Sequence, residues 1–474
     1  MVSQLRLMHD WLDSNPPLSK KSNYLGGYCT HYKAGNYNIE SMMHLMIGTK
    51  PGSYYHNIWK PLGVFDNIDY FPFQVSRKVV PQIGEPFTVY SDQLKLKQEM
   101  LKFCINEKER QNVDYFIGLI NKFDSKSHTN VKVADEFTLH PRVFMGNLFN
   151  PSTASIFARG IGNTSTIWSK ILILNIIKNK DAMFPKGGSS ALISAMENKL
   201  LQLGGKVLKN TLIEEILIEG NNAIGVKTKE GSVIKGDYIV ISSDLANGYG
   251  MLSKGKYKNP RLEKALNDMD RYPPMMQANL CLNILLLDPE RYALTAIYEL
   301  PKPITINGDK IKNIAGRFLI GDEFAPKGHS IFQLSAYCSS TIPWSRVKNQ
   351  PSKYAIEKET LTKEFVKAAI SIFPKIEGHI EHVVTCDPVF YESLTANTDG
   401  VIQSFISSKR NMNYLDVIKN PFEGLSNVHL GSVWGGYYGG IHTSIENGML
   451  AIKKIVNKWS NKSLNGINKK CVLT

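Results

Sequence analysis

The segment from Phe184 to Asp244 constrains the fold of this chain more than any other stretch. It opens with a turn at Pro185–Gly188, after which Ser189 or Ser190 is predicted to cap a helix. Apolar side chains then recur at three- and four-residue steps, which is the spacing of one helix face. These side chains are Ala191, Leu192, Ala195, Met196, Leu200 and Leu203. The pattern predicts a helix that ends at the following pair, Gly204-Gly205.

A run of short strands follows this helix. The predicted strands are Lys206–Leu208, Ile213–Ile218, Ala223–Thr228, Ser232–Lys235 and Asp237–Ser242. The third and fourth form a hairpin with a turn at Glu230-Gly231, and the last is a short apolar run typical of a buried parallel strand. A helix, a strand, a hairpin and a buried strand in this order predict a crossover unit of an α/β nucleotide-binding fold.

The bulk composition is that of a folded protein with two or three domains. The chain has 474 residues, of which 43% are hydrophobic. Its six cysteines are scattered without metal-ligand spacing, so we expect neither a zinc site nor a disulfide scaffold, and the usage fits a reducing compartment. The net charge of +14 comes without a basic cluster of the nucleic-acid type, so we expect no nucleic-acid partner.

Outside the central segment, the sequence predicts further helices and strands. The predicted helices are 54–62, 95–106, 112–123, 167–177, 260–269, 357–373 and 441–459. The predicted strands are 66–73, 278–287, 318–321, 330–337, 383–386 and 427–431, and 390–400 is predicted to be a loop. The last strand ends at Gly431, and a glycine-dense loop then leads into the final helix. Such a loop offers backbone N–H groups to an anionic ligand, or serves tight helix–strand packing.

Three separated pieces of the chain together resemble one family. The first piece is Lys20–Gly27 with its glycine pair, followed by a looser match over Gly35–His44. The second is the crossover unit that starts at Pro185, and the third is Asn427–Ala451. In this order they resemble the FAD-dependent carotenoid desaturases, carotenoid isomerases and retinol saturases, within the wider amine-oxidase-like flavoproteins. The resemblance covers nearly the whole chain from Lys20 onward.

The resemblance implies an α/β fold with a Rossmann-type FAD-binding domain built from discontinuous segments and a mixed α+β substrate domain. The FAD-binding domain would comprise residues 20–73, 184–250 and 420–462, and the substrate domain 74–183 and 251–419. The residues implied to lie at the cofactor are Gly26, Gly27, Ile213, Gly431, Gly440 and Ile441. His44 and His442 are the implied catalytic candidates, since a histidine near the flavin can donate or accept a proton. For both histidines a structural role is the alternative.

The sequence departs from the family at its beginning. The family starts with a strand and a G-x-G-x-x-G turn that lets the backbone approach the FAD pyrophosphate, and the printed chain contains no such turn. Lys20 also stands at the acidic position that would bind the ribose. Either the chain is a truncated copy, which the intact downstream pattern favours, or it is a variant that binds flavin weakly or not at all. In both cases we expect the Rossmann-type sheet to have an open edge.

The predicted function is FAD-dependent oxidation, reduction or isomerisation of carbon–carbon double bonds in a lipophilic, carotenoid- or retinoid-like isoprenoid. An amine-oxidase-like enzyme with a small polar substrate and an inactive truncated family member are the alternatives. The apolar helix 167–177, with Lys170, Lys178 and Lys180 beside it, is either a lipid-contacting entrance or a core helix. With no signal-peptide pattern and no apolar run of about 18 residues, we expect a cytoplasmic protein, peripheral on the membrane at most.

Overall fold

The structure, a computed structural model, describes residues 25–43, 45–122, 140–162, 167–254, 257–286, 295–339, 342–406, 408–436, 439–460 and 471–473. The strands are β1 His31–Ala34, β2 Tyr37–Glu40, β3 Tyr70–Pro72, β4 Val75–Val80, β5 Phe87–Tyr90, β6 Met183–Pro185, β7 Ile213–Glu219, β8 Asn222–Thr228, β9 Val233–Lys235, β10 Tyr238–Ile241, β11 Met275–Leu282, β12 Ala296–Ile306, β13 Asp309–Leu319, β14 Ser330–Tyr337, β15 Ile380–Cys386, β16 Val428–Leu430 and β17 Cys471–Leu473. The helices are α1 Tyr54–Trp59, α2 Gln93–Leu101, α3 Glu107–Lys122, α4 Pro141–Leu148, α5 Pro151–Phe157, α6 Ile167–Asn179, α7 Gly188–Gln202, α8 Leu245–Ser253, α9 Pro260–Asp268, α10 Ile342–Val347, α11 Pro351–Ile372, α12 Pro388–Thr395, α13 Lys409–Met412, α14 Leu415–Lys419 and α15 Ile441–Ser460.

The largest sheet has seven strands in the order β15-β11-β14-β13-β12-β4-β5. Its neighbours are antiparallel except β12 and β4, which are parallel. One face packs against α11, whose Leu361, Phe365 and Ala369 are buried against the sheet. The β4–β5 end carries a second core, formed mainly with α2 to α6. This mixed sheet with covering helices is the largest hydrophobic unit among the described residues.

A smaller, parallel sheet has the order β16-β10-β17. All four residues of β10 are buried, as the apolar run Tyr238–Ile241 predicts. The strand pairs with β16 on one side and with β17 on the other. Residues 471–473 supply the backbone partners on one side of β10, and β16 and β17 are the two end strands of this sheet among the described residues. The expectation of an open edge therefore stays a prediction.

The hairpin sheet β7-β8-β9 packs against β10 and confirms the predicted strands at Ile213–Ile218 and Ala223–Thr228. Lys206–Leu208 is not a strand, and no β-partner is recorded for it among the described residues. Neither Ser189 nor Ser190 caps α7. The cap position is Gly187, at φ +81°, and the structure gives it no capping side chain.

The structure corrects one further prediction and confirms another. The predicted loop 390–400 is wrong for its first half, because Asp387 caps α12 by accepting from the Phe390 backbone N–H at 3.0 Å. The apolar helix 167–177 is confirmed as α6. Its described side chains Ile173, Leu174, Ile176 and Ile177 are buried, which favours the core alternative for this half of the helix.

Within the described ranges, no helix is long and apolar enough to cross a membrane. In the same part of the chain there is no group of three or more His, Cys, Asp or Glu side chains that could hold a metal ion. Cys29, Cys104, Cys281, Cys338 and Cys386 are free thiols.

Candidate active site

The carboxyl ends of the parallel strands β10 and β16 lie side by side. The Gly431 backbone N–H, directly after β16, donates to the Ile241 carbonyl at 2.8 Å. A Cβ atom at Gly431 would come within 2.7 Å of Val240 Cγ1 and also face Ala451 of α15. Glycine is thus required here by close strand–helix packing. Ligands of α/β proteins bind beyond such carboxyl ends, so this edge of the sheet is the candidate site.

Two buried donors lie just past these strand ends. Ser243 Oγ follows β10 and Trp434 Nε1 follows β16, and neither has a hydrogen-bond partner among the described residues. The Trp434 ring is held edge-on against Phe405, with centroids 5.1 Å apart. Buried donors usually have partners, so these two fit a ligand that carries polar acceptor atoms.

The start of α15 adds a third element to the site. Gly440 has φ +92°, a backbone conformation that favours glycine, and α15 begins at Ile441. His442, in the first turn, is 6% exposed and lies edge-on to Tyr55 with ring centroids 5.3 Å apart. Burial lowers the pKa of His442 to about 4. Its imidazole is therefore neutral at physiological pH, with one ring nitrogen as donor and the other as acceptor.

The surroundings of this helix start are mostly apolar and aromatic, and we call them the α15 cluster. Its buried members are Met43, Met46, Trp59, Val64 and Leu192. Its partly buried members are Tyr55, Leu62, Phe65, Tyr70, Phe184, Met196, Ile441 and Ile445. They come from the segment 43–70, β6, α7 and α15 itself, so sequence-distant elements meet at this point.

Gly26 and Gly27 form a turn beside α7. Their φ angles are +92° and +59°, and the Cys29 backbone N–H donates to the Gly26 carbonyl at 3.0 Å. A Cβ atom at Gly26 would lie 2.6 Å from Ile193 Cγ1, whereas one at Gly27 would meet nothing within 4 Å. The turn alternative therefore describes their local structure, and their contact with a cofactor stays a prediction.

Ile213 and His44 are the remaining predicted site residues. Ile213 begins β7 and packs partly buried in the core that also contains Ile241 and Trp434. His44 lies outside the described residues. Gly440, Ile441 and His442 thus lie together at the start of α15, whereas Gly431 follows β16 and packs against Gly448 and Ala451, further along the same helix.

A buried polar layer between the hairpin β1–β2 and the seven-stranded sheet was not anticipated from the sequence. Arg317 Nε donates to Gln333 Oε1 at 2.6 Å, and Arg317 Nη1 donates to the Met43 carbonyl at 2.8 Å. Gln333 Nε2 in turn donates to Asn279 Oδ1 at 2.7 Å. Burial lowers the pKa of Arg317 to about 10, so the guanidinium stays charged at neutral pH. Among the described residues its Nη2 has no partner.

Glu40 joins this layer to the start of α7. Its carboxylate is fully buried and accepts from the Ser189 backbone N–H at 2.8 Å and from Ser189 Oγ at 2.7 Å. His31 Nε2 lies 3.0 Å from the same carboxylate. A helix N-terminus stabilises negative charge, which explains how Glu40 is accommodated there. Gly188 permits this close approach, because a Cβ atom at this position would come within 2.5 Å of Glu40 Oε2.

The fold is similar to that of solved oxidoreductases, and part of the sequence is similar to a carotenoid desaturase. An oxidoreductase from Methanosarcina mazei superposes with a TM-score of 0.54 at 14% identity, covering 91% of this chain and 92% of that one. Putrescine oxidase bound to putrescine gives 0.56 at 11% identity, with 92% of each chain covered. A phytoene desaturase (lycopene-forming) from Pseudescherichia vulneris is 23% identical over 167 residues, which are 35% of this chain and 29% of that relative. This match thus spans less than a third of the relative's length.

The family profile for flavin containing amine oxidoreductases matches residues 91–451. The chain belongs to this family, whose cofactor is FAD. The buried donors of Ser243 and Trp434 fit the polar part of such a group, and the contact of Gly431, Gly440 and Ile441 with it stays a prediction.

Proposed function

We propose that the chain is an FAD-dependent oxidoreductase that acts on carbon–carbon double bonds of a carotenoid- or retinoid-like isoprenoid. The apolar and aromatic α15 cluster around the candidate site is the observation that carries this proposal. Burial of apolar surface is the main source of affinity for a polyene, which has few groups able to form hydrogen bonds. The similarity to the Pseudescherichia phytoene desaturase supports the same substrate class.

Flavin, when bound, supplies the hydride chemistry of this class. The chain contributes backbone N–H groups at the start of α15, and the positive helix end favours negative charge on a bound group. His442 is a poor general base, because a pKa near 4 lies well below the working pH. Its neutral ring is better suited to orienting a bound group by a hydrogen bond. His44 stays a second candidate for proton transfer.

The direct test uses purified full-length protein. After gel filtration, a yellow fraction with a flavin absorption spectrum is expected, and a colourless fraction would count heavily against the proposal. Incubation with phytoene or a retinoid then distinguishes the reactions. Desaturation lengthens the conjugated system and shifts its absorption to longer wavelength, saturation does the reverse, and isomerisation changes retention without changing mass. No conversion by the flavin-loaded protein would remove the polyene as substrate.

The buried polar layer favours a second candidate, an amine-oxidase-like enzyme with a small polar substrate. Arg317, Gln333 and Asn279 project from one face of the large sheet toward β1–β2, which is unusual for a surface that handles only hydrocarbon. Amine oxidation by dioxygen releases hydrogen peroxide. A peroxide assay with putrescine and other amines therefore separates the candidates, because the polyene reaction needs no amine.

We also propose that the protein contacts membranes peripherally, since a polyene substrate resides in lipid and the net charge of +14 attracts anionic headgroups. Flotation with anionic vesicles tests this contact. Recovery that does not differ between anionic and neutral vesicles would refute the electrostatic part.

A further inference from the structure

A groove of about 460 Å³ lies on the large sheet, away from the candidate active site. Its floor is aromatic, with Tyr298 of β12, Phe318 of β13 and Phe373 after α11. The Phe373 ring centroid is 5.8 Å from that of Tyr298 and 5.5 Å from that of Phe318. Its walls add apolar side chains from four parts of the chain. These are Val80, Pro81, Pro86, Leu286, Pro301 and Ile372.

The groove and the buried polar layer are on opposite faces of the sheet. Arg317 and Phe318 are neighbours in β13, and successive side chains of a strand point to opposite faces. Arg317 reaches Gln333 and the Met43 carbonyl on one side, whereas Phe318 stacks on Phe332 with centroids 4.6 Å apart on the side of α11. The groove lining also shares no residue with the α15 cluster or with the ends of β10 and β16, so a ligand in the groove would not occupy the candidate active site.

Charged groups line the rim of the groove unevenly. Glu299 is the acidic residue of the lining, and its carboxylate is 3.2 Å from Arg159 Nη1, outside the groove lining. Two basic residues also line it, Lys78 from β4 and Lys375 beyond α11. Because Arg159 counters the charge of Glu299, the positive charge of Lys375 at the rim favours an anionic group.

We propose that this groove binds a small apolar molecule that carries one carboxylate, such as a medium-chain fatty acid. The apolar walls would receive the hydrocarbon part, and the carboxylate would lie at the rim near Lys78 and Lys375. The volume is within the range of small-molecule sites, about 300–1,000 Å³. This site is additional to the proposed reaction and does not depend on it.

The test is calorimetric titration of the full-length protein with decanoate, with the uncharged decanol as the matched ligand. Ser371 is exposed at the end of α11 and lines the groove, so Ser371→Trp fills the groove from its open side. We expect Ser371→Trp to weaken decanoate binding at least ~10-fold. Lys375→Glu should weaken decanoate ~5-fold or more and leave decanol unchanged, because only the charge at the rim differs.

Lys367→Glu is the control variant, since Lys367 is exposed on α11, pairs with Glu364 and does not line the groove. It should bind decanoate as the unchanged protein does. Circular dichroism of each variant confirms that the fold is intact. Failure of the unchanged protein to bind decanoate, or equal binding by the folded Ser371→Trp variant, would overturn the proposal. Equal weakening of decanoate and decanol by Lys375→Glu would overturn the role of the charge.

Discussion

The buried imidazole of His442 makes the stability of the protein depend on pH. Burial lowers its pKa from 6.5 to about 4, so the unfolded chain binds a proton at this residue more readily than the folded one. The contribution of His442 to the free energy of unfolding is therefore fully present above about pH 6.5, and it is lost as the pH falls toward about 4. Each pKa unit corresponds to about 1.4 kcal/mol, which gives a total of about 3 kcal/mol. At about pH 5 the loss should already be about 2 kcal/mol.

The perturbation is His442→Phe, which keeps an aromatic ring beside Tyr55 and removes the titrating group. Urea unfolding of both proteins is followed by tryptophan fluorescence at about pH 7.5 and about pH 5, at one fixed FAD concentration because a bound ligand adds stability. The other titratable groups are the same in both proteins, so their contributions to the pH dependence cancel in the comparison. The unchanged protein should lose about 2 kcal/mol more than the variant between the two pH values.

If His442→Phe and the unchanged protein lose the same stability on acidification, the ring is not buried in its neutral form and the reasoning is refuted.

Three further predictions concern packing and pairing. Lys358→Met removes the ammonium group that lies 2.6 Å from the buried Asp387 carboxylate, and it should lower the free energy of unfolding by about 3–5 kcal/mol in urea titrations. Lys348→Met removes one partner of a half-exposed ion pair and should cost about 1 kcal/mol or less, so equal losses in the two variants would contradict the prediction. Gly431→Ala places Cβ against Val240 and should cost about 1–3 kcal/mol, while Gly250→Ala in α8 has room and should not destabilise. Val472→Pro removes a backbone donor from β17 and should increase light scattering on heating, whereas Val472→Ala, which keeps the donor, should not.

Local patterns in the sequence were sufficient for much of the fold. The apolar run Tyr238–Ile241 predicted a buried parallel strand, because four consecutive apolar residues can be buried on both faces. The α12 helix was missed although its signal was present, with Asp387 as cap and Pro388 at the first helical position. Lys206–Leu208 was predicted as a strand and is not one, because apolar residues form a strand only where a partner strand is available.

Long-range contacts explain what the sequence could not predict. The environment of Glu40 depends on Ser189, which is 149 positions away, and no local rule connects the two residues. The same holds for the buried polar layer, in which Arg317 reaches the Met43 carbonyl 274 positions away. For the candidate site, the family resemblance selected Gly431, Gly440, Ile441 and His442, and the role of these residues at the cofactor stays a prediction. The unpartnered donors Ser243 and Trp434 became visible only when burial was known.

The pairing of β10 has a consequence for how the protein is made in the cell. Its partner β16 follows about 190 residues later in the chain, and β17 later still. During translation this apolar strand therefore leaves the ribosome long before either neighbour exists, with the backbone groups of both edges unpaired. The nascent chain then has a strong requirement for chaperone protection, and ribosome stalling before residue 428 leaves a product prone to aggregation.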